Sequence, residues 1–267
     1  MIYDIRTSEK ALKTLVELTG VSKDIWDNYM DRINDYPYIE KMIEEVVKRY
    51  GHLPHSYRDF EFVYFHITTS KENCRSIKNT GIFDLCKAYE NKNSELRVFL
   101  DNKGIAIDLK RRILRYQDVE YDISYSKSKV PRDNTKEYAC WSIGRKFYFD
   151  YTTCGFLSVW ARSPYGGLVH KRPEILMDID NLLGLNLSVE WQSMCKPFEV
   201  VAKVSGENII YPYDEGDSEE DKVLYYLAKA FENYFGEPHE EIVLLKNNIQ
   251  IPPQDVLEIK PLVCWTF

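Results

Sequence analysis

Residues 60–67 read FEFVYFHI. Aromatic and β-branched residues dominate this stretch and no turn residue interrupts it, so it predicts a β-strand. Side chains alternate along a strand, which puts Phe60, Phe62, Tyr64 and His66 on one face and Val63, Phe65 and Ile67 on the other. Both faces are apolar. Such a strand has to be central in its sheet and covered on each side. His66 is the exception among these side chains, and the residues leave two readings of it open. It is a hydrogen-bonded core histidine, or it holds a ligand.

The flanking sequence gives the rest of the architecture. Residues 1–58 read as a helical unit. Ser22 stands before KDIWDNYMDRI, and in YIEKMIEEVVKRYG the residues Ile39, Met42, Ile43, Val46, Val47 and Tyr50 recur at helical spacing before Gly51. Residues 59–267 form the main domain. There, a short helix with Ser70 as its cap and Gly81 as its stop follows the first strand. A helix follows at SELRVFLDNKG, then strands at GIAIDL and VEYDISY, with the basic LKRRILRY between them as a solvated strand or helix face. A helix and then a strand are expected in YACWSIGRKFYFDYTTCGFLSVW, a helix at EILMDIDNLLG and a strand at PFEVVAKVSGENII. GDSEEDKVLYYLAKAFENYFG is the most regular helix. Ser218 and Asp221 suit its start, and Val223, Leu224, Leu227, Phe231, Tyr234 and Phe235 form the stripe expected to be buried. EEIVLLKN, IQIPPQDVLEI and VCWTF supply the last strands.

Composition removes several function classes. The formal charge of −7 argues against a large nucleic-acid footprint, which needs a positive surface. The six cysteines include no C-x-x-C pair, so neither a zinc ribbon nor a redox motif is indicated, and free thiols in a cytoplasmic protein are expected. No window approaches the length of a membrane span, and the first residues lack the apolar segment of a signal peptide. Asp178 and Asp180 in MDID are too few for a metal-dependent nuclease.

Two separated stretches carry a likeness. The first is His66, Ile67, Thr68, Asn73, Ile77 and Gly81, which reads H-I-T-x-x-x-x-N-x-x-x-I-x-x-x-G. The second is a late strand opening with Glu241, Ile242, Val243 and Leu244, followed by the I-x-P run. Together they resemble the ADP-ribosyltransferase superfamily, most nearly the DarT-like toxins. The resemblance implies an α+β fold with a split, mostly antiparallel sheet behind the N-terminal helical unit. It implies NAD as co-substrate, a macromolecular acceptor (DNA, RNA or protein), and a setting as a toxin or anti-phage defence effector with an antitoxin or regulator as partner. An NAD glycohydrolase and an inactive binding module of the same fold are the alternatives. The middle-strand motif of the superfamily has four contenders, Tyr148, Tyr151, Ser158 and Tyr165. His239 stands where some relatives carry Gln or Glu, which weighs against arginine as the acceptor.

The resemblance also assigns roles. Glu241 is the catalytic candidate, stabilising an oxocarbenium-like ribose as in glycoside hydrolysis, with Glu240 as the other possible acid. His66 and Thr68 would contact NAD. Arg97 is a candidate for its diphosphate or for the acceptor, and a local ion pair with Glu95 is not expected because residues two apart on a helix do not face each other. In SPYGGLVHKRPE, Gly166 and Gly167 permit close backbone approach, and Tyr165, His170 and Arg172 suit a substrate; a plain glycine turn is an equal reading.

Overall fold

The computed structural model describes residues 1–159, 168–212, 216–236 and 238–262. The chain opens on a two-residue strand β1 (Ile2–Tyr3) and three helices, α1 (Ser8–Thr19), α2 (Lys23–Met30) and α3 (Ile39–Tyr50). Strand β2 (Glu61–Ser70) follows and confirms the expected strand. Next come α4 (Arg75–Thr80), α5 (Leu85–Glu90) and α6 (Glu95–Asn102), then three short strands, β3 (Ala106–Asp108), β4 (Ile113–Tyr116) and β5 (Val119–Asp122). Helix α7 (Lys136–Tyr148) leads into β6 (Cys154–Ser158), and α8 (Glu174–Leu183) and α9 (Leu187–Met194) into β7 (Lys196–Ser205) and β8 (Ile209–Ile210). Helix α10 (Glu219–Phe235), β9 (Glu241–Leu245) and β10 (Val256–Pro261) complete the described elements.

The main sheet has the order β10-β7-β2-β6-β9-β8, with β1 also paired to β2. It is antiparallel except for β1, which runs parallel to β2. Strand β2 is central, with β7 along its whole length on one side and β6 on the other. Its two apolar faces are covered by different layers. Phe62 and Tyr64 belong to a large core built with α1, α3 and α10, while Val63, Phe65 and Ile67 pack with Phe156, Val201 and Val169 on the opposite face. A separate core holds α7, α8 and α9 against the sheet β3-β4-β5.

Residues 1–58 share the large core with the main sheet: Tyr3, Leu15, Trp26 and Val46 pack in the same cluster as Phe62, Val200 and Phe231. Helix α10 is buried on more sides than its predicted stripe allows. Tyr225, Tyr226, Ala228, Ala230 and Asn233 are buried as well, and Phe235 is exposed at the helix end. The wider burial follows from packing between α1 and α3 in addition to the sheet.

Other expectations change locally. The helix after β2 starts at Arg75, not at a cap on Ser70. Ser70 ends the strand, and its hydroxyl accepts from the backbone amides of Glu72 and Cys74. This turn carries Asn73 and Cys74 at φ 54° and 58°. LKRRILRY supplies a strand, β4, with Leu114 buried and Arg115 outward. The described cysteines are unpaired. VCWTF lies outside the described residues. Among the described residues no helix is long and apolar enough to cross a membrane.

Candidate functional site

Strand β6 lies directly between the strand carrying His66 and the strand opened by Glu241. Phe65 pairs with Phe156, Phe156 with Ile242, and Ser158 with Glu241. A bulge between Phe156 and Ser158 turns both Leu157 and Ser158 toward α10, since Leu157 joins the large core and Ser158 bonds Asn233. Gly155 lets the strands approach closely, because a Cβ there would stand 2.5 Å from the Tyr64 ring.

His66 and Glu241 share the sheet face that looks toward α10. His66 follows Phe62 and Tyr64 in alternation and sits opposite Val200, all three members of the large core. Glu241 precedes Val243 and Leu245 of the same core. Both side chains are partly buried rather than sealed. His66 makes its contact at Cys154 and Glu241 pairs at Ser158, positions separated by roughly 13 Å along a strand. An extended ligand spans that interval; one sugar does not.

The imidazole is fixed by a single bond. Its Nδ1–H donates to the carbonyl oxygen of Cys154 at 2.8 Å. A carbonyl only accepts, so the neutral ring carries its proton on Nδ1 and presents Nε2 as an acceptor. Burial lowers the His66 pKa below the usual imidazole value, with the Cys154 bond opposing it. Thr68 lies two residues on, on the same face, partly buried. Tyr64 precedes His66 on that face. Its hydroxyl is buried without a partner, and burial raises its pKa well above the phenol value.

Glu241 is held from α10. Tyr225 donates its hydroxyl to Oε2 at 2.8 Å, and the Lys229 ammonium stands 3.0 Å from Oε1. Residues four apart on a helix lie on one face, so a single helix surface grips both carboxylate oxygens. Burial lowers the Lys229 pKa, but the Glu232 and Glu241 carboxylates outweigh it and the net shift is upward. Behind this pair Asn233 locks the strand entrance. Its amide donates to Ser158 Oγ at 3.0 Å and accepts from the His239 N–H at 3.1 Å, while Ser158 donates to the His239 carbonyl at 2.8 Å. Glu240 precedes β9 and, by alternation, turns away from the Glu241 side.

Of the middle-strand contenders, Ser158 stands on β6. Tyr148 is on α7 with its hydroxyl on the Leu109 carbonyl, and Tyr151 precedes β6. Tyr165 lies outside the described residues. Arg97 is not brought to His66 or Glu241. It pairs with Asp101 at 2.8 Å, one turn on, and stacks over Tyr89 at 4.7 Å, so a local ion pair does form. Arg97 lines a cleft of about 340 Å³ with Tyr89, Asp108, Lys110 and Arg115.

Sequence reading missed Tyr225, Lys229, Asn233 and Tyr64. A larger cleft of about 590 Å³ reaches both side chains that hold Glu241, within the size range of small-ligand sites. Tyr38, Tyr211 and Leu224 give it an apolar component. Glu40, Glu44, Asp217 and Asp221 outnumber Lys41 and Lys229, so its charge is negative. Among the described residues no group of three His, Cys, Asp or Glu could hold a metal ion. No protein-family model matches the chain, and neither a curated protein nor a solved structure does.

Proposed function

We propose that the protein is a cytoplasmic NAD-dependent ADP-ribosyltransferase that modifies a macromolecule, acting as a toxin or anti-phage defence effector under the control of an antitoxin or regulator. The observation that carries this reading is the placement of His66 and Glu241 on one face of the sheet, on strands that flank β6, with Ser158 of that intervening strand in register with Glu241. Glu241 accepts a hydrogen bond from the ribose next to nicotinamide and stabilises the cationic sugar as the glycosidic bond breaks. The departing nicotinamide takes the bonding electrons. Lys229 stands 3.0 Å from Oε1 and holds the carboxylate in place for this role. The Nε2 of His66 accepts from a hydroxyl farther along the ligand.

The acidic cleft beside Tyr225 and Lys229 repels a phosphate backbone, so the acceptor is a protein in preference to DNA or RNA. Incubation with labelled NAD and cell lysate, followed by separate digestion with protease and nuclease, tests this. Label should vanish with protease and persist with nuclease, and Glu241→Gln should abolish it. Free ADP-ribose with no labelled polymer would instead indicate an NAD glycohydrolase. One observation favours an inactive binding module: Tyr225 and Lys229 already occupy both oxygens of Glu241. That reading predicts no turnover of NAD at all.

A further inference from the structure

Arg172 is 5% exposed, and the Asp178 carboxylate of α8 acts on it only through space, with no hydrogen bond or ion pair between them. Among the described residues no carboxylate lies within 4.0 Å of its guanidinium. Its Nη1 is buried with no hydrogen-bond partner. Its Nη2 donates only to the Met177 sulfur, at 3.1 Å. A thioether is a weak, neutral acceptor. Arginine cannot shed its proton to relieve burial, because its pKa lies far above neutrality. A guanidinium removed from water with one Nη unbonded and no carboxylate in contact therefore calls for an anion from outside the chain.

Its surroundings favour one. Arg172 directly precedes α8, whose N-cap is Pro173, a residue with no side-chain acceptor for the first helical amides. The bond to Met177 holds the guanidinium against the first turns of this helix, where the backbone dipoles present positive charge. Met177 is 45% exposed, so the group covering the guanidinium is a flexible side chain open to solvent. Val169, three residues earlier, packs beside Phe65 and Phe156, which anchors the segment on the sheet face opposite α10. Glu174 does not fill the place of the anion, because its carboxylate is taken by Lys146 at 2.6 Å.

We propose that Arg172 and the N-terminus of α8 form a binding site for a phosphoryl oxyanion, which displaces the Met177 sulfur and takes the two Nη groups. The site stands apart from Glu241, and the proposal does not rest on the NAD reading.

Pyrophosphate is the probe, read by thermal unfolding and by ³¹P line width. At about a hundredfold excess over its dissociation constant it should raise the melting temperature by about 5 °C. Arg172→Met should abolish the rise while leaving the anion-free melting temperature no lower than wild type. Glu241→Gln should keep the full rise, which separates this site from the fate of the proposed activity. Parallel arms with inorganic phosphate and ADP-ribose distinguish a free oxyanion from the phosphoryl group of a larger ligand. If Arg172→Met does not fold, Arg172→Lys reads the same question, since loss of the planar fork should weaken pyrophosphate at least about tenfold. No rise and no line broadening with wild type, or an undiminished response in either Arg172 variant, would overturn the proposal.

Discussion

Glu241 and Arg172 are both charges drawn largely out of water, and the chain treats them in opposite ways. Glu241 has a hydroxyl on one oxygen and an ammonium on the other, both from one face of α10. The Arg172 guanidinium has a thioether as its one hydrogen-bond partner. The first charge is part of the packing between α10 and β9, and it would be there whether or not a ligand came. The second has no carboxylate at ion-pair distance among the described residues, and the Asp178 charge reaches it only through space. A compensated charge reports how a fold holds together, and an uncompensated one reports what the fold lacks. The contrast also limits the proposed chemistry: Glu241 acts on a substrate only while still held by Tyr225 and Lys229, so its reach is set by α10.

The largest expected effect breaks the compensated side. Lys229→Met leaves the Glu241 carboxylate with Tyr225 alone and should destabilise the protein by about 2–3 kcal/mol, measured by urea unfolding. This cost is at the low end for a buried pair because Lys229 retains 21% side-chain exposure. In the same assay Arg172→Met should be neutral or stabilising by up to about 1 kcal/mol, since it removes a buried charge that no described carboxylate contacts. If the two substitutions cost the same, the contrast between the sites does not hold.

The smallest effect sharpens the comparison with a third charge. Asp178, on α8, is pushed up to about 6 by burial, which outweighs the lowering influence of Lys146, Arg172 and Arg145. Its folded pKa thus exceeds the ordinary value of 3.8. Native protein keeps a proton that the unfolded chain has already released. The stabilisation is complete below about pH 3.8 and is lost as pH rises through about 6. Asp178→Asn should therefore match wild type near the acid end and become the more stable protein by pH 7, in unfolding free energies taken across that range. A difference independent of pH would show that Arg172 and its neighbours hold Asp178 ionised.

How much of this was legible in the sequence depends on whether a residue's partners are local. Strand β2 was legible because its alternation is unbroken, and α10 because Ser218 caps it through the Asp221 amide and Gly236 ends it. Helix α9 was not. Its start is capped from the preceding helix, where the Asp180 carboxylate accepts from the amides of Leu187 and Ser188. Its Trp191 is fixed by Thr69, far back on β2. The Arg97–Asp101 pair is local and readable at four-residue spacing, whereas Glu95, two residues from Arg97, does not face it. At the candidate site, a carboxylate at the mouth of an apolar strand could be read as needing a partner. Which partner could not, because Tyr225 and Lys229 meet Glu241 only when α10 docks on β9. Lys229 also has Glu232 three residues on, which gives it the look of an ordinary surface pair. Arg172 was legible as a polar loop residue, but its burial, at 5% exposure, was not.

The central claim is that the Glu241 carboxylate acts on the bond between ribose and nicotinamide. Release of nicotinamide from NAD, measured with purified wild-type protein and with Glu241→Gln under identical conditions, tests it whether the sugar passes to an acceptor or to water. Wild type should release nicotinamide and the variant should lose about 10²–10³-fold, the scale of removing one electrostatic contact to a transition state. Equal rates from the two proteins, or no release from wild type in the presence of lysate, would contradict it.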